Sequence, residues 1–126
     1  MRRTLTLGPL PIMFANQNTE LGIPLHTHYA EVYLSYEFSG TQGFPVLATT
    51  IDEIRDRLGN QVDRPFMNTR NEGVLEIIFE AFRDWQCSSI KNPAPSWKLC
   101  AVDLKVFGVR DPIGHADGTA TYRIEV

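Results

Sequence analysis

Gly22-Ile23-Pro24-Leu25-His26-Thr27-His28-Tyr29-Ala30-Glu31-Val32-Tyr33-Leu34-Ser35-Tyr36 is the stretch on which the fold turns. From His26 onward its residues fall into two alternating sets, His26, His28, Ala30, Val32, Leu34, Tyr36 and Phe38 against Tyr29, Glu31, Tyr33, Ser35 and Glu37. Successive side chains of a strand point to opposite faces. The segment Thr27 to Ser39 is therefore expected as a half-buried antiparallel strand with both imidazoles on its apolar face. Imidazole is the commonest nitrogen ligand of zinc, iron and copper, so the pair invites a metal reading. The plainer reading is two hydrogen-bonded strand residues beside a pocket.

Working outward, Thr4 to Ala15 reads as a first strand, kinked where Pro9 and Pro11 remove backbone donors. Gly40 to Gly43 makes a turn, after which the period changes. Ile51, Ile54 and Leu58 recur at helical spacing, and Gly59 is expected to close that helix. A second helix is expected from Thr69 to Trp85, with Val74, Leu75, Ile78, Phe79, Phe82 and Trp85 as its apolar stripe. Pro93 and Pro95 mark a connector from Ser88 to Ser96. Beyond it, Cys100, Val102, Leu104 and Val106 alternate with Ala101, Asp103, Lys105 and Phe107 as a third strand. Turn residues from Asp111 to Gly118 lead to a last strand, Thr119 to Val126. The order strand, strand, helix, helix, strand, strand predicts an α+β domain: a four-stranded antiparallel sheet with two helices on one face.

A chain of 126 residues is the length of one domain, so residues 1–126 are taken as a single unit. The net charge of −3 and the scattered basic residues exclude a nucleic-acid footprint. No run is apolar enough to span a membrane. Met1-Arg2-Arg3 with Leu5, Leu7 and Leu10 superficially suggests a signal peptide, but Gly8, Pro9 and Pro11 interrupt it, and a first strand is the better reading. Cys87 and Cys100 have neither ligand spacing nor a disulfide framework and read as packing residues, so a reducing, cytoplasmic setting is expected.

Three local patterns, in order along the chain, resemble one family. Leu25-His26-Thr27-His28-Tyr29 is similar to the Leu-His-Gly-His-Ser/Asn-Phe/Tyr segment entering the second strand of the 6-pyruvoyl- and 6-carboxy-tetrahydropterin synthases. Val62-Asp63-Arg64-Pro65-Phe66-Met67-Asn68 stands where that family has Leu-Asp-His-Xaa-Xaa-Leu-Asn, and Arg70-Asn71-Glu72 is similar to the Pro-Thr-Xaa-Glu start of its second long helix. The resemblance covers most of the chain. It implies the tunnelling fold, in which ββααββ chains oligomerise into a β-barrel, and a pterin or purine-type ligand.

The departures bear on chemistry. The family's first-strand histidine, third ligand of its zinc, is matched by Asn16 after Phe14-Ala15. Its catalytic cysteine falls near Gly22, its catalytic histidine is Arg64 beside a retained Asp63, and its third-strand pterin anchor falls near Gly108. By resemblance, Asp63 and Arg64 are the candidate catalytic residues, while Glu72, Asn71 and Thr69 are the candidate substrate contacts. Zinc is the implied cofactor, on His26 and His28 with a third donor from Asn16, His115 or Glu20, since a catalytic zinc needs three protein ligands.

Some of these residues have structural readings as well. Thr69-Arg70-Asn71-Glu72 has the form of a capping box, in which the carboxylate returns to the helix backbone. In tunnelling-fold relatives such as dihydroneopterin aldolase and the GTP cyclohydrolases, a glutamate there accepts two N–H groups from the heterocycle edge. Asp63 and Arg64, before Pro65, also suit a solvated turn, and the functional reading sets Arg64 against an anionic substrate side chain.

Three alternatives stand beside a synthase-like enzyme. A metal cupin is suggested by His-Thr-His followed by Glu31, but the two helices do not fit an all-strand barrel. An aldolase-like enzyme lacks its lysine, since Val106-Phe107-Gly108-Val109-Arg110 occupies that region. A non-catalytic binding or assembly protein of the same fold would explain why several catalytic positions are replaced together. Long strands with unpaired edges, finally, predict a homo-oligomer whose sites lie between subunits.

Overall fold

The computed structural model of the protein describes residues 3–38, 48–85, 87, 97–110 and 117–126. Two long strands come first, β1 (Arg3–Asn18) and β2 (Ile23–Phe38). Helix α1 (Ala48–Val62), the two-residue β3 (Pro65–Phe66) and helix α2 (Asn71–Arg83) follow, then β4 (Trp97–Arg110) and β5 (Asp117–Glu125). The sheet runs β3-β1-β2-β4-β5. All the long pairings are antiparallel. The four-stranded expectation is corrected by β3, which runs parallel to β1 at Ala15–Pro65 and Asn16–Phe66 and makes the sheet five-stranded and mixed. The chain's own sheet stays open, with no barrel closed within it.

The hairpin joining β1 to β2 turns at Gly22, whose amide donates to the Thr19 carbonyl at 3.1 Å. Its φ of +68° is left-handed and explains the glycine. Register then follows from the alternation read in the sequence. Phe14 lies opposite His28 and Asn16 opposite His26, all on the sheet face that carries the helices.

That face holds the core. Val32, Leu34 and Tyr36 of β2 and Val102, Leu104 and Val106 of β4 pack under Ile54, Leu58 and Val62 of α1 and Val74, Ile78 and Phe82 of α2. Full burial of such side chains contributes on the order of 1.5–3 kcal/mol each. The stripe Ile54, Leu58, Val62 carries α1 straight through Gly59, so the expected stop there does not occur. An interior glycine costs a helix about 1 kcal/mol, less than one buried valine supplies.

Helix α2 is shorter than expected at both ends. It begins at Asn71 with Arg70 as a cap that makes no side-chain hydrogen bond, so the capping box does not form. The Thr69 hydroxyl instead donates to the Met67 carbonyl at 3.3 Å. At the other end Trp85 lies past the helix, edge-on to Phe82 at 5.5 Å.

Strand β4 carries a bulge where Ala101 pairs with Ser35 and Leu99 with Tyr36. The intervening Cys100 is thereby shifted off the core face expected for it, and its thiol donates to the Ser35 carbonyl at 3.3 Å. Cys87 is buried as a packing residue, with its thiol donating to a Glu53 carboxylate oxygen at 2.5 Å, and neither cysteine forms a disulfide. Among the described residues, no helix is long and apolar enough to cross a membrane.

Candidate functional site

Beyond Ala30 the apolar run of β2 gives way to His28 and His26, and there the core face ends in an open cleft of about 580 Å³. Several elements meet at it. The β1–β2 hairpin supplies Asn16, His26 and His28, the start of α2 supplies Asn71 and Glu72, and β5 supplies Tyr122. Asn68 fixes the approach of α2. It adopts a left-handed φ of 57°, and its side-chain oxygen accepts from the Thr19 hydroxyl at 2.8 Å, tying the loop before α2 to the hairpin turn.

The two imidazoles converge. Nε2 of His26 lies 2.7 Å from Nε2 of His28, while Nδ1 of His26 is 2.8 Å from the Pro24 carbonyl. Donation to that carbonyl leaves the His26 Nε2 with a lone pair. His28 also hydrogen-bonds the Phe107 backbone, and with Nε2 turned to His26, Nδ1 is the nitrogen left for it. The short Nε2–Nε2 contact is satisfied by a hydrogen donated from His28 Nε2, by an imidazolium donating from both nitrogens, or by a cation shared between two lone pairs. Burial, reinforced by His26 alongside, holds the His28 imidazole below the usual histidine range, against the pull of the Phe107 bond.

As a metal site the pair is two donors of a set that needs three. Among the described residues no group of three or more His, Cys, Asp or Glu side chains is placed to share an ion. Glu20, a candidate third donor, instead faces Arg70 at 3.9 Å, an exposed ion pair. His115 lies outside the described residues. Asn16 fits the role best: it is 5% exposed, sits opposite His26, and its side-chain oxygen is buried with no hydrogen-bond partner.

The remaining predicted residues divide. Thr69, Asn71 and Glu72 all line the cleft. Glu72 is exposed and, among the described residues, makes no hydrogen bond or ion pair, so its carboxylate is not consumed in capping. Asp63 lines a separate groove with Pro11, Ile12 and Met13. Arg64 lies over the Phe66 ring at 5.2 Å. Phe66 stands 6.3 Å from Phe14, which stands 5.4 Å from His28, so Arg64 touches the site only through two buried rings. Gly108 opens the cleft wall at a bulge in β4, with a left-handed φ of 72°.

Tyr122 is among the cleft residues that sequence reasoning does not single out. Its hydroxyl accepts from Nδ2 of Asn71 at 3.3 Å, and Asn71 Oδ1 accepts from Nδ2 of Asn16 at 2.8 Å. Periodicity groups Tyr122 with Ala120, Ile124 and Val126 on one face of the last strand, but nothing local ties it to a residue 51 positions earlier.

No protein-family model matches this chain, and no curated protein matches it significantly. What the cleft can bind follows from its own donors and acceptors: the Glu72 carboxylate, the paired imidazoles, and the amide and phenol hydrogen-bond chain.

Proposed function

We propose that this protein is a divergent tunnelling-fold relative of the 6-pyruvoyl- and 6-carboxy-tetrahydropterin synthases, acting on a pterin or purine-type heterocycle as a lyase or synthase. One observation carries the reading: Glu72, free of partners among the described residues, opens on the same cleft as His26 and His28. A carboxylate matches the adjacent amino and ring N–H groups of a 2-amino-4-oxo heterocycle with two parallel hydrogen bonds. The first turn of α2 favours that carboxylate's negative charge. A zinc ion held by His26, His28 and the Asn16 oxygen would acidify a substrate hydroxyl beside the proton to be removed. The imidazoles themselves can hold or pass a proton at Nε2.

Self-association, as proposed, would give Asp63 and Arg64 a place in this reading. The outer edge of β5, and that of β1 except at Ala15 and Asn16, have no strand partner among the described residues. Closing such edges with further copies makes a homo-oligomeric barrel with clefts near the chain boundaries. Asp63 and Arg64 are assigned to a neighbouring chain's cleft.

A second reading, binding without catalysis, is favoured by the placement of Asp63 in a groove apart from the cleft. The test is calorimetric titration of wild type and Glu72→Gln with a 7,8-dihydropterin bearing a hydroxylated side chain, with chromatographic assay of turnover. Charge-assisted hydrogen bonds contribute roughly 1.5–3 kcal/mol, so Glu72→Gln should bind on the order of 10- to 100-fold more weakly. Binding with turnover supports the synthase, binding without turnover supports the second reading, and no binding contradicts both.

A further inference from the structure

We infer that Tyr122 is a specificity-determining residue of the cleft, held by Asn71 and Asn16 so that its hydroxyl donates to the ring carbonyl beside the edge that Glu72 accepts. The inference rests on the proposed pterin or purine reading and adds to it the residue that distinguishes an oxo from an amino substituent.

The polarity of the hydrogen-bond chain leads to this role. Nδ2 of Asn16 donates to Oδ1 of Asn71 at 2.8 Å, which fixes the Asn71 amide with its NH₂ toward β5. That NH₂ donates to the Tyr122 hydroxyl oxygen at 3.3 Å. The phenol thus serves as acceptor to Asn71, and among the described residues its own hydrogen is left for the cleft that it lines. Asn71 precedes Glu72 at the start of α2, and the Glu72 carboxylate and the Tyr122 hydroxyl line the same cleft.

A second observation points to an occupant. The far end of the chain is the buried, unpartnered oxygen of Asn16, 5% exposed and in the wall of the same cleft. Native structures leave few buried acceptors unpaired, so this oxygen beside the cleft calls for a donor that the described residues do not supply. The cleft therefore offers an acceptor at Glu72 and a donor at Tyr122. A 2-amino-4-oxopyrimidine ring presents two adjacent N–H donors followed by a carbonyl acceptor, which complements Glu72 and then Tyr122. A site built to donate to a carbonyl rejects the amino analogue, because two donors then face each other.

Calorimetry with 2-amino-4-oxopteridine and 2,4-diaminopteridine tests the inference. Wild type should prefer the oxo compound. Tyr122→Phe keeps the ring that packs on the core and removes only the hydroxyl, so the preference should fall about tenfold. Asn71→Asp keeps Tyr122 itself, and its carboxylate takes the hydroxyl proton for its own bond. It should lower the preference as Tyr122→Phe does, and Asp is well tolerated in a helix's first turn. Equal weakening of both ligands in both variants would make Tyr122 a packing residue and overturn the inference. So would a wild-type preference for the diamino compound. If Glu72→Gln weakens binding while Tyr122→Phe leaves the preference unchanged, the cleft reading stands and this inference alone fails. If wild type binds neither pteridine, both fall together.

Discussion

Nε2 of His26 and Nε2 of His28 stand 2.7 Å apart at the mouth of the cleft, with Asn16 directly across the strand pair from His26. Two converging imidazoles opposite an amide form a nitrogen site that lacks its third strong donor.

Asn16→His should supply that donor. A three-imidazole set is the ligand count of a catalytic zinc, so the variant should bind zinc roughly tenfold or more tightly than wild type. Competition against a chromophoric chelator measures the difference. Equal affinities would mean that position 16 does not share a ligand centre with the histidine pair. The variant also cuts the Asn16–Asn71 bond, so circular dichroism should accompany it.

Much of this arrangement could be read from the sequence. The alternation from His26 to Phe38 placed both histidines on the core face, and the heptad-like stripe from Val74 to Phe82 placed α2 above it. The failures have physical causes. Gly59 was read as a stop because the local glycine signal is strong, but burial of Val62 one turn later outweighs it. β3 is two residues long and has no period to detect. The capping box failed because α2 starts at Asn71, which makes Arg70 the cap in place of Thr69. Tyr122 owes its role to a contact with Asn71 across the fold, and no local pattern encodes that.

The core supports a stability contrast. Leu104 is fully buried between sheet and helices, whereas Leu21 is 63% exposed at the hairpin. Leu104→Ala should cost about 2–5 kcal/mol in urea unfolding, and Leu21→Ala should stay within about 0.5 kcal/mol of wild type. Similar values for the two would contradict the placement of the core.

Tyr36 predicts an alkaline transition. Burial, with Cys87 nearby adding to it, pushes its phenol well above the usual tyrosine range. At neutral pH both folded and unfolded chains keep the proton. As pH rises past about 10 the unfolded chain ionises while the folded one resists, so Tyr36 lowers stability progressively above that pH. Urea unfolding from pH 8 to 11 should show a shallower decline for Tyr36→Phe than for wild type. Parallel declines would remove Tyr36 as the cause.

Self-association should depend on the open face of the sheet. Met13 and Tyr29 are cross-strand partners there, 56% and 69% exposed, and Leu25 and Phe107 extend the apolar patch. Light scattering should find an oligomer at micromolar concentration, and Tyr29→Glu should shift it toward smaller species. A monomeric wild type would contradict the barrel.

The most direct measurement is a crystal structure with a bound 2-amino-4-oxopteridine. The account predicts the pyrimidine ring edge within hydrogen-bond distance of both Glu72 carboxylate oxygens, with the rest of the ligand directed toward His26 and His28. A pteridine bound away from Glu72, or one turning a different edge to it, would contradict the account.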